Sequence, residues 1–390
     1  MSQTIPRVET TPPVNGLHMA LDLGSKSWKL AFGFCGKIRH RSIDARDYTR
    51  LELEVAQAKQ QLHLPPEVDV MSCYEAGRDG FMVHRELQRR GIRNLVVDSA
   101  SIERNRRARQ VKTDRIDVQK LLLQLGRHLS GEPKVWSVVH VPSEEDEDAR
   151  RLHRELQRLK KEKTQHSNRI GSLLALQGVS VPLKAKGFEL ALEHVHRPGG
   201  EPIPPNLRAE ILRQYQRWQL VMSQVAELEK ARLALLKQDT SASVSKAREL
   251  MSLKGIGQNI SWELVMEFFG WRQFKNRRQV GSLAGLTPTP WASDGTAREQ
   301  GISKAGNPRI RSMMVEASWI WLRYQPDSAL SRWFERRFGH GSKRYRRVGI
   351  VALARKLLVA LWHFVEHGVL PQGKIIIKPM LELSEQRSDA

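Results

Sequence analysis

Residues 17–33, with the sequence LHMALDLGSKSWKLAFG, constrain the fold of this chain most strongly. Apolar and polar residues alternate on both sides of a GSKS turn, a pattern typical of a β-hairpin. Asp22 lies on the first strand, just before the turn. The pattern therefore predicts an antiparallel strand pair with a carboxylate at its turn end.

Strand and helix patterns alternate after this hairpin. The predicted elements are, in order, a helix over 48–63, a strand over 67–77, a helix over 78–91, a strand over 92–100 and a helix from about 114 to 125. Glu75 lies at the carboxyl end of the first of these strands. The sequence leaves open whether a third strand follows the hairpin. The order β-β-(β)-α-β-α-β-α predicts an α/β domain with a mixed sheet.

The following region is helical in pattern. Leucine and isoleucine recur at helical spacing within 143–192, and 207–238 predicts a second long helix. Because the Pro/Gly-rich segment 196–206 separates them, we expect an antiparallel coiled-coil arm, with a globular helical insertion as the alternative. From residue 250 onward the chain predicts a compact helical domain. Its sequence LKGIG resembles a helix-hairpin-helix turn whose backbone N–H groups could meet a phosphate, although a plain tight turn explains it equally well.

These patterns divide the chain into five segments. They are a disordered leader over 1–16, an α/β domain over 17–140, a helical arm over 141–245, a C-terminal helical domain over 246–370 and a tail over 371–390.

The charge balance indicates a polyanionic partner. The chain has 64 lysines and arginines against 42 aspartates and glutamates, a net charge of +22. Such an excess of positive charge in a globular chain usually serves to bind nucleic acid, with membrane surfaces and acidic proteins as the alternative partners.

Other features favour a soluble protein of a reducing compartment. Cys35 and Cys73 are too few for a zinc site or a disulfide framework, so we expect two buried small side chains. The N-terminus lacks the apolar stretch of a signal peptide. The apolar stretch 349–370 is interrupted by Arg355 and Lys356, which predicts a buried helix and no membrane span. We expect a cytoplasmic protein.

Four carboxylates fall on predicted strand ends and one helix start. Asp22 and Glu75 end strands, while Asp114 and Asp117 stand three residues apart on one helix face. Together they could hold Mg²⁺ or Mn²⁺, which prefer oxygen ligands and act on phosphodiesters. Singly, each acid is also explained as a turn-shaping or helix-starting residue. The basic side chains that would neutralise a nucleic-acid backbone beside them are Arg104, Arg106, Arg107, Arg109, Lys112 and Arg115.

At these residues the chain resembles the DEDD transposases of the IS110 family of bacterial insertion sequences. The resemblance runs from about residue 17 to about 370. The matching motifs are ALDLGSKSWKLA, CYEAGRDGFMVHRELQRRGIRNLVVDS, RRARQVKTDRIDVQKLL and LAGLTPTPWASDGTAREQGISKAGNPRIRSMMVEASWIWL. The resemblance implies a RuvC-like, RNase-H-fold domain joined to a C-terminal transposase domain.

The resemblance also implies site residues. The acidic tetrad of the family falls on Asp22, Glu75, Asp114 and Asp117, and its catalytic serine falls on Ser293. Many members have glycine directly after that serine, whereas this chain has an aspartate there and the glycine one place later. Family members are implied to join DNA strands through a covalent serine–DNA intermediate, and some are guided by a structured bridge RNA. Whether this chain uses such an RNA is left open.

Taken alone, the serine segment predicts a Pro/Gly-rich loop between helices. Arg298, Lys304, Arg309 and Arg311 follow Ser293 and could orient a phosphate. Because no histidine lies close in sequence, the activating base would be a carboxylate or a metal-bound hydroxide of the first domain. The alternative is a loop serine on a DNA-binding face, and Ser303 competes with Ser293 as a helix cap or phosphate contact.

A later segment, RWFERRFGHGSKRYRRVGIVALARKLL, mixes aromatic and basic residues. Trp333, Phe334 and Tyr345 could stack on bases while Lys343 and Arg344 contact phosphates. Equally, the aromatic side chains could belong to the core.

The sequence therefore predicts an insertion-sequence transposase, a DNA recombinase of the bacterial nucleoid. Its partners would be element-end and target DNA and, if it is RNA-guided, a bridge RNA. Because strand exchange requires several cleavages, a homodimer or homotetramer is expected. One alternative is a RuvC-like Holliday-junction nuclease or a DNA invertase. Another is a nucleic-acid-binding protein without catalysis, although such a protein gains nothing from acids within its basic face.

Overall fold

A computed structural model describes residues 16–102, 114–184, 186–293 and 296–376, with backbone only at 114–115, 291–293 and 296–300. The chain divides into two compact units. Unit 1 spans Met1–Val141 and unit 2 spans Pro142–Ala390.

Unit 1 is built on a five-stranded mixed sheet in the order β3-β2-β1-β4-β5. The first three strands form an antiparallel meander, and β4 and β5 run parallel to β1. The strands are β1 (Leu17–Leu23), β2 (Ser27–Phe34), β3 (Lys37–Asp44), β4 (Val70–Glu75) and β5 (Arg93–Val97). The helices are α1 (Tyr48–Gln61), α2 (Met82–Arg89) and α3 (Asp114–Leu129).

The sheet of unit 1 is covered on both faces. Leu17, Met19 and Leu21 alternate along β1 and pack with Leu51 of α1 and Leu87 of α2. This alternation arises because successive side chains of a strand point to opposite faces.

Helix α3 covers the opposite face. Its residues Val118, Leu122 and Leu125 pack with Ala20 of β1 and Cys73 of β4. Small side chains on this face of the sheet let the helix approach closely. A β-carbon at Gly33 of β2 would lie 3.0 Å from Leu122 Cδ2, so a larger residue there would push α3 away.

The observed order β-β-β-α-β-α-β-α confirms the predicted sequence of elements in unit 1, including the third strand. It gives a mixed α/β fold that is compatible with the RNase-H-like architecture expected from the resemblance. The expectation of two buried cysteines is wrong for Cys35, which is exposed at the β2–β3 turn with φ of 47°. Cys73 is buried as expected.

Unit 2 is mainly helical. Its α-helices are α4 (Glu144–Ala149), α5 (Arg151–Ala175), α6 (Phe188–His194), α7 (Pro205–Gln238), α8 (Ala242–Met251), α9 (Gln258–Leu264), α10 (Arg277–Leu283), α11 (Pro308–Tyr324), α12 (Ala329–Phe334) and α13 (Lys343–His367). It also contains π-helical turns at Val265–Phe269 and Glu335–Gly339, and the strands β6 (Pro288–Ser293) and β7 (Thr296–Ile302).

The two longest helices of the predicted arm, α5 and α7, pair antiparallel. Lys160 Nζ lies 2.7 Å from Glu229 Oε1, and Arg169 Nη2 lies 2.7 Å from Glu210 Oε1. Residue numbers therefore rise along one helix as they fall along the other.

A small globular cluster covers one end of this pair. Helix α6 packs there, and the ring centroids of Phe188 and Tyr215 are 4.6 Å apart. Both predicted alternatives thus have a counterpart: a long antiparallel helix pair and a globular helical part at its end. A coiled-coil seam stays a prediction.

Helix α13 is the described helix that is long and apolar enough to cross a membrane by length and composition alone. Its residues Leu357, Leu358 and Leu361 are fully buried in the core of unit 2. This packing is that of a core helix, as the interrupting Arg355 and Lys356 led us to expect.

Substitution Leu125→Ala should destabilise unit 1 by about 3 kcal/mol, because it removes a fully buried side chain between α3 and the sheet. Denaturant unfolding followed by circular dichroism measures the change. Leu123→Ala on the same helix is the matched control: Leu123 is 54% exposed, so its substitution should cost less than about 0.5 kcal/mol. Equal losses in the two variants would contradict the described packing of α3.

Candidate functional site

Asp22 and Glu75 stand side by side at one end of the sheet. The parallel pairing of β1 with β4 matches Ala20 with Cys73 and Leu21 with Tyr74, so the same register brings Asp22 opposite Glu75. Neighbouring strands lie about 4.8 Å apart. Both acids therefore share the sheet face that carries Ala20 and Cys73, which is the face covered by α3.

Helix α3 brings a third carboxylate towards the same end. A β-carbon at Gly126, near the end of α3, would lie 3.8 Å from His18 Nδ1 at the start of β1. Cys73 Sγ lies 3.8 Å from the Leu121 carbonyl oxygen in the middle of the helix. The first turn of α3 thus points to the carboxyl ends of β1 and β4. Asp117 lies one helical turn before Leu121 and on the same side of the helix.

These acids are accessible to solvent. Glu75 is exposed, and Asp22 and Asp117 are half-buried. Asp114 begins α3 one turn earlier, and only its backbone is described. Among the described side chains, no group of three or more His, Cys, Asp or Glu is close enough to hold a metal ion.

The donor set nevertheless fits Mg²⁺ or Mn²⁺. All its side chains bring carboxylate oxygens, the hard ligands these ions prefer. Mg²⁺ commonly uses only one or two protein carboxylates and completes its coordination with water and substrate phosphate. The pair Asp22 and Glu75 meets that requirement. The basic residues predicted beside the acids, Arg104, Arg106, Arg107, Arg109 and Lys112, lie outside the described residues, as does the side chain of Arg115.

Ser293 lies at the end of a strand, where the sequence predicted a loop between helices. Strands β6 and β7 form an antiparallel hairpin in which Ser293 pairs with Thr296 and Ala292 with Ala297. The sequence contains a signal for this hairpin that the loop prediction overlooked. Asp-Gly follows Ser293, and this dipeptide favours a two-residue connection between antiparallel strands. The serine thus stands next to the hairpin tip.

The base of this hairpin is fastened by backbone hydrogen bonds. The Ser303 N–H donates to the Thr287 carbonyl at 2.9 Å, and the Asn307 N–H donates to the Leu283 carbonyl at 2.8 Å. Gly306, with φ of 140°, is required here because a β-carbon would lie 2.4 Å from the Leu283 oxygen. The base of the hairpin is therefore held by backbone hydrogen bonds and a close backbone approach.

The cations predicted beside Ser293 have different surroundings. Lys304 is exposed, whereas Arg311 is half-buried and its Nη1 donates to the carbonyls of Lys304 at 3.0 Å and Ala284 at 3.3 Å. Arg309 is exposed and donates to Gln157 of α5. Arg298 pairs with Trp291 in the hairpin, with only its backbone described. Lys304 and Arg309 are thus the described cations of this group that face solvent.

Two interpretations of single residues are corrected. The helix-cap alternative for Ser303 is wrong because Asn307 caps α11, its side chain accepting from the N–H groups of Arg309 and Ile310. Base stacking by Phe334 is wrong because this residue is fully buried in the core. In the LKGIG turn, the Lys254 N–H donates to the Ile375 carbonyl, and a phosphate contact through the other N–H groups of the turn stays a prediction.

Tyr345, Lys343 and Arg344 of the later basic segment are on the surface. Tyr345 is 45% exposed, and Lys343 and Arg344 are exposed in the first turn of α13. Positive side chains are unfavourable at the N-terminus of a helix, so a bound anion would stabilise this turn. Trp333 is half-buried, and Lys356 Nζ lies 4.7 Å from the centroid of its ring in a cation–π contact.

A buried ionic network, not anticipated from the sequence, reaches α11, the helix that follows the serine hairpin. Glu267 lies in the π-helical turn after α9 and is 1% exposed. His153 Nε2 and Arg154 Nη2 of α5 each donate to it at 2.9 Å. Burial alone would raise the pKa of the Glu267 carboxyl, but these two hydrogen bonds outweigh it and hold its pKa well below the usual range.

A second buried acid extends the network to the hairpin side. Glu263 accepts a hydrogen bond from Gln157, whose side-chain oxygen accepts from Arg309 in the first turn of α11. Burial raises the pKa of the Glu263 carboxyl. The network therefore joins α5, the π-helical turn and the helix that follows the hairpin. The sequence signal for it is weak, because these residues are far apart in the chain.

Substitution Glu267→Gln should lower the free energy of unfolding of unit 2 by about 3 kcal/mol at pH 7, because it breaks a buried ion pair. Because the pKa of Glu267 is lower in the folded protein than its ordinary value of 4.5, ionised Glu267 stabilises the fold at every pH above 4.5. This stabilisation is lost progressively as the pH falls below 4.5. The difference between wild type and variant should therefore shrink at pH 3.5. Denaturant unfolding at both pH values measures it.

The matched control is Glu366→Gln, which removes a partly exposed pair with Lys246 at 2.6 Å and should cost less than about 1 kcal/mol at either pH. A constant Glu267→Gln deficit from pH 7 to pH 3.5 would contradict the assigned pKa shift.

Comparison with known proteins identifies the family. Residues 247–332 match the sequence model of the Transposase IS116/IS110/IS902 family. The chain is 38% identical over 384 residues to the putative transposase y4rJ of Sinorhizobium fredii, covering 94% of this chain and 96% of that relative. It is 25% identical over 233 residues to the transposase for insertion sequence element IS1328 of Yersinia enterocolitica, covering 59% of this chain and 66% of the relative. It is 27% identical over 228 residues to a probable family 20 transposase of Pseudomonas aeruginosa, covering 57% and 65%. Because the first likeness spans nearly the whole of both chains, this chain belongs to the IS116/IS110/IS902 transposase family.

Proposed function

We propose that this transposase cuts and rejoins DNA strands with Ser293 as the nucleophile and the carboxylates of unit 1 as the ligands of a divalent cation. The register of β1 and β4 carries the proposal, because it sets Asp22 beside Glu75 at the sheet end next to the first turn of α3. Two neighbouring carboxylates in so basic a protein repel DNA unless a cation lies between them.

The serine step is a transesterification. The Ser293 oxygen attacks a backbone phosphorus and forms a phosphoserine diester, while the bond from phosphorus to the adjacent sugar oxygen breaks. The serine proton goes to a general base, and the departing sugar oxygen takes a proton to become a hydroxyl. A hydroxyl of another strand reverses these steps and releases the serine. The bond energy of the phosphodiester is kept, so no external energy source is needed.

The surroundings of Ser293 support this role. The serine ends a short strand whose base is fixed by hydrogen bonds, which limits the positions available to it. Lys304 and Arg309 are exposed on the same segment and can contact the DNA backbone. Their positive charge would stabilise the charge that develops on the phosphate.

The carboxylates supply a different function. Asp22, Glu75, Asp114 and Asp117 would hold Mg²⁺ or Mn²⁺, and the ion would supply the positive charge that stabilises the phosphate in the transition state. Their carboxylate oxygens would fix the position of the ion in unit 1. The reaction needs both the carboxylates and the serine, from the same chain or from two copies in an oligomer.

The expected partners follow from this chemistry. Element-end and target DNA are the substrates, and a dimer or tetramer provides enough serines for several cleavages. Lys343 and Arg344, in the first turn of α13, are further candidates for backbone contacts. Guidance by a bridge RNA would use the same kind of basic surface. The protein would act in the bacterial cytoplasm, on the nucleoid.

Substitution Ser293→Ala should abolish the covalent protein–DNA adduct, a loss of at least about 10³-fold, because it removes the attacking oxygen. The assay uses labelled element-end DNA with Mg²⁺ and copurified RNA on a denaturing gel. Ser303→Ala is the matched control and should retain the adduct, since the Ser303 contact in the structure is through its backbone N–H. DNA cleavage without an adduct and without dependence on Ser293 would instead indicate a hydrolytic nuclease.

The double variant Asp22→Asn/Glu75→Gln should bind Mn²⁺ at least about tenfold more weakly than wild type, because it removes two charged ligands and keeps their shape. The free Mn²⁺ signal in electron paramagnetic resonance measures this without any DNA reaction. Glu67→Gln is the control, since Glu67 is exposed and precedes β4 at the opposite end of the sheet. Unchanged Mn²⁺ affinity in the double variant would exclude the proposed metal site.

A further inference from the structure

A cavity of about 920 Å³ opens in unit 2 between α10, α13 and the start of β6. This volume is at the upper end of the range of ligand pockets, about 300–1,000 Å³. Thr287 and Pro288 line it, and Pro288 begins the strand that ends at Ser293. The cavity therefore lies at the base of the serine hairpin.

The lining of the cavity is strongly positive. Arg277 and Arg278 of α10 and Arg355 and Lys356 of α13 line it, and no carboxylate does so among the described residues. Within the described part of the chain, none of these four cations forms a salt bridge. Four cations without acidic partners around one cavity favour an anionic ligand.

Apolar side chains line the same cavity. They are Leu330, Val359 and Ala360, which we call the apolar floor. Arg355 of α13 packs close to α10, since a β-carbon at Gly281 would lie 3.4 Å from its Cγ and Cδ atoms.

We propose that this cavity binds a nucleotide of an unpaired nucleic-acid strand, with its phosphate among the cations and its base on the apolar floor. A nucleotide is the ligand that combines an anionic group with a flat, weakly polar ring of suitable size. A base stacked within a duplex cannot reach such a pocket, so the ligand is a single strand or an extruded nucleotide. The inference rests on the proposed function, because the pocket would hold a strand beside the hairpin that carries Ser293.

The test measures the binding of a fluorescein-labelled oligothymidylate of about 15 nucleotides by fluorescence anisotropy over a range of salt concentrations. The protein carries Ser293→Ala, so that cleavage of the probe does not interfere. Arg355→Gln/Lys356→Gln should weaken binding about tenfold. The slope of log affinity against log salt should fall by about 1.4, as expected for two lost phosphate contacts on a single strand. A ribouridine oligomer run in parallel distinguishes DNA from RNA as the source of the nucleotide.

The matched control is Arg213→Gln/Arg217→Gln, which removes the same charge from exposed positions of α7. It should leave the affinity within about twofold of the starting protein. Ala360→Trp fills the floor without changing the charge and should weaken single-strand binding at least about fivefold, the loss expected for one displaced base. Circular dichroism confirms that each variant is folded.

A third measurement does not depend on any variant. When 4-thiothymidine in the oligomer is photocrosslinked to the protein, the crosslink should form on the peptide that contains Val359 and Ala360. Equal weakening by the α7 control, an unaffected Ala360→Trp protein, or crosslinks only elsewhere would overturn the pocket. These results are separate from the tests of the proposed function, which are the Ser293-dependent adduct and the Mn²⁺ affinity of the Asp22→Asn/Glu75→Gln variant.

Discussion

The parallel pairing of β1 with β4 is the constraint on which the proposed chemistry depends. It aligns Asp22 with Glu75, and a slip of one residue would turn one of these acids to the opposite sheet face. The alternation that makes Leu17, Met19 and Leu21 core residues is therefore the same alternation that directs Asp22 towards α3. Burial of the apolar residues fixes the register, and the register brings the two acids together.

In the proposed chemistry, unit 2 has to hold one hydroxyl group, that of Ser293, at the end of a two-stranded hairpin. An isolated hairpin of this size is marginally stable, so the residues at its base must fix it. Backbone hydrogen bonds at Thr287 and Leu283 and the tight approach at Gly306 do this. The buried acids Glu267 and Glu263 then connect the following helix to α5. Flexibility at the base would spread the serine over many positions and slow an in-line attack.

Much of unit 1 was predictable because its signals are local. The alternation in 17–33 predicts strands with one buried face, and the apolar run in 92–100 predicts a strand buried on both faces. The structure has strands in both segments, so these strand predictions were confirmed. The serine hairpin was missed because its strands contain two prolines and many polar residues, which resemble a loop. Its informative signal was the Asp-Gly pair after Ser293.

Tertiary contacts explain the remaining differences. Arg311 looks in sequence like any other surface cation, yet its guanidinium donates to two carbonyls at the hairpin base. Phe334 sits in a basic segment, but its side chain points into the core. Glu267 meets His153 and Arg154 across more than a hundred residues, and no spacing rule connects positions so far apart. Charge and local pattern thus predict surfaces and elements, whereas the partners of single side chains depend on the folded chain.

The most direct test of the account is to locate the DNA attachment by mass spectrometry. The adduct would be trapped on a nicked element-end substrate, treated with nuclease and trypsin, and the modified peptide fragmented. The account predicts a nucleotide on the peptide of residues 279–298, with the modification on Ser293 and not on Ser282. A nucleotide on any other residue, or efficient strand joining with no modified peptide, would contradict it.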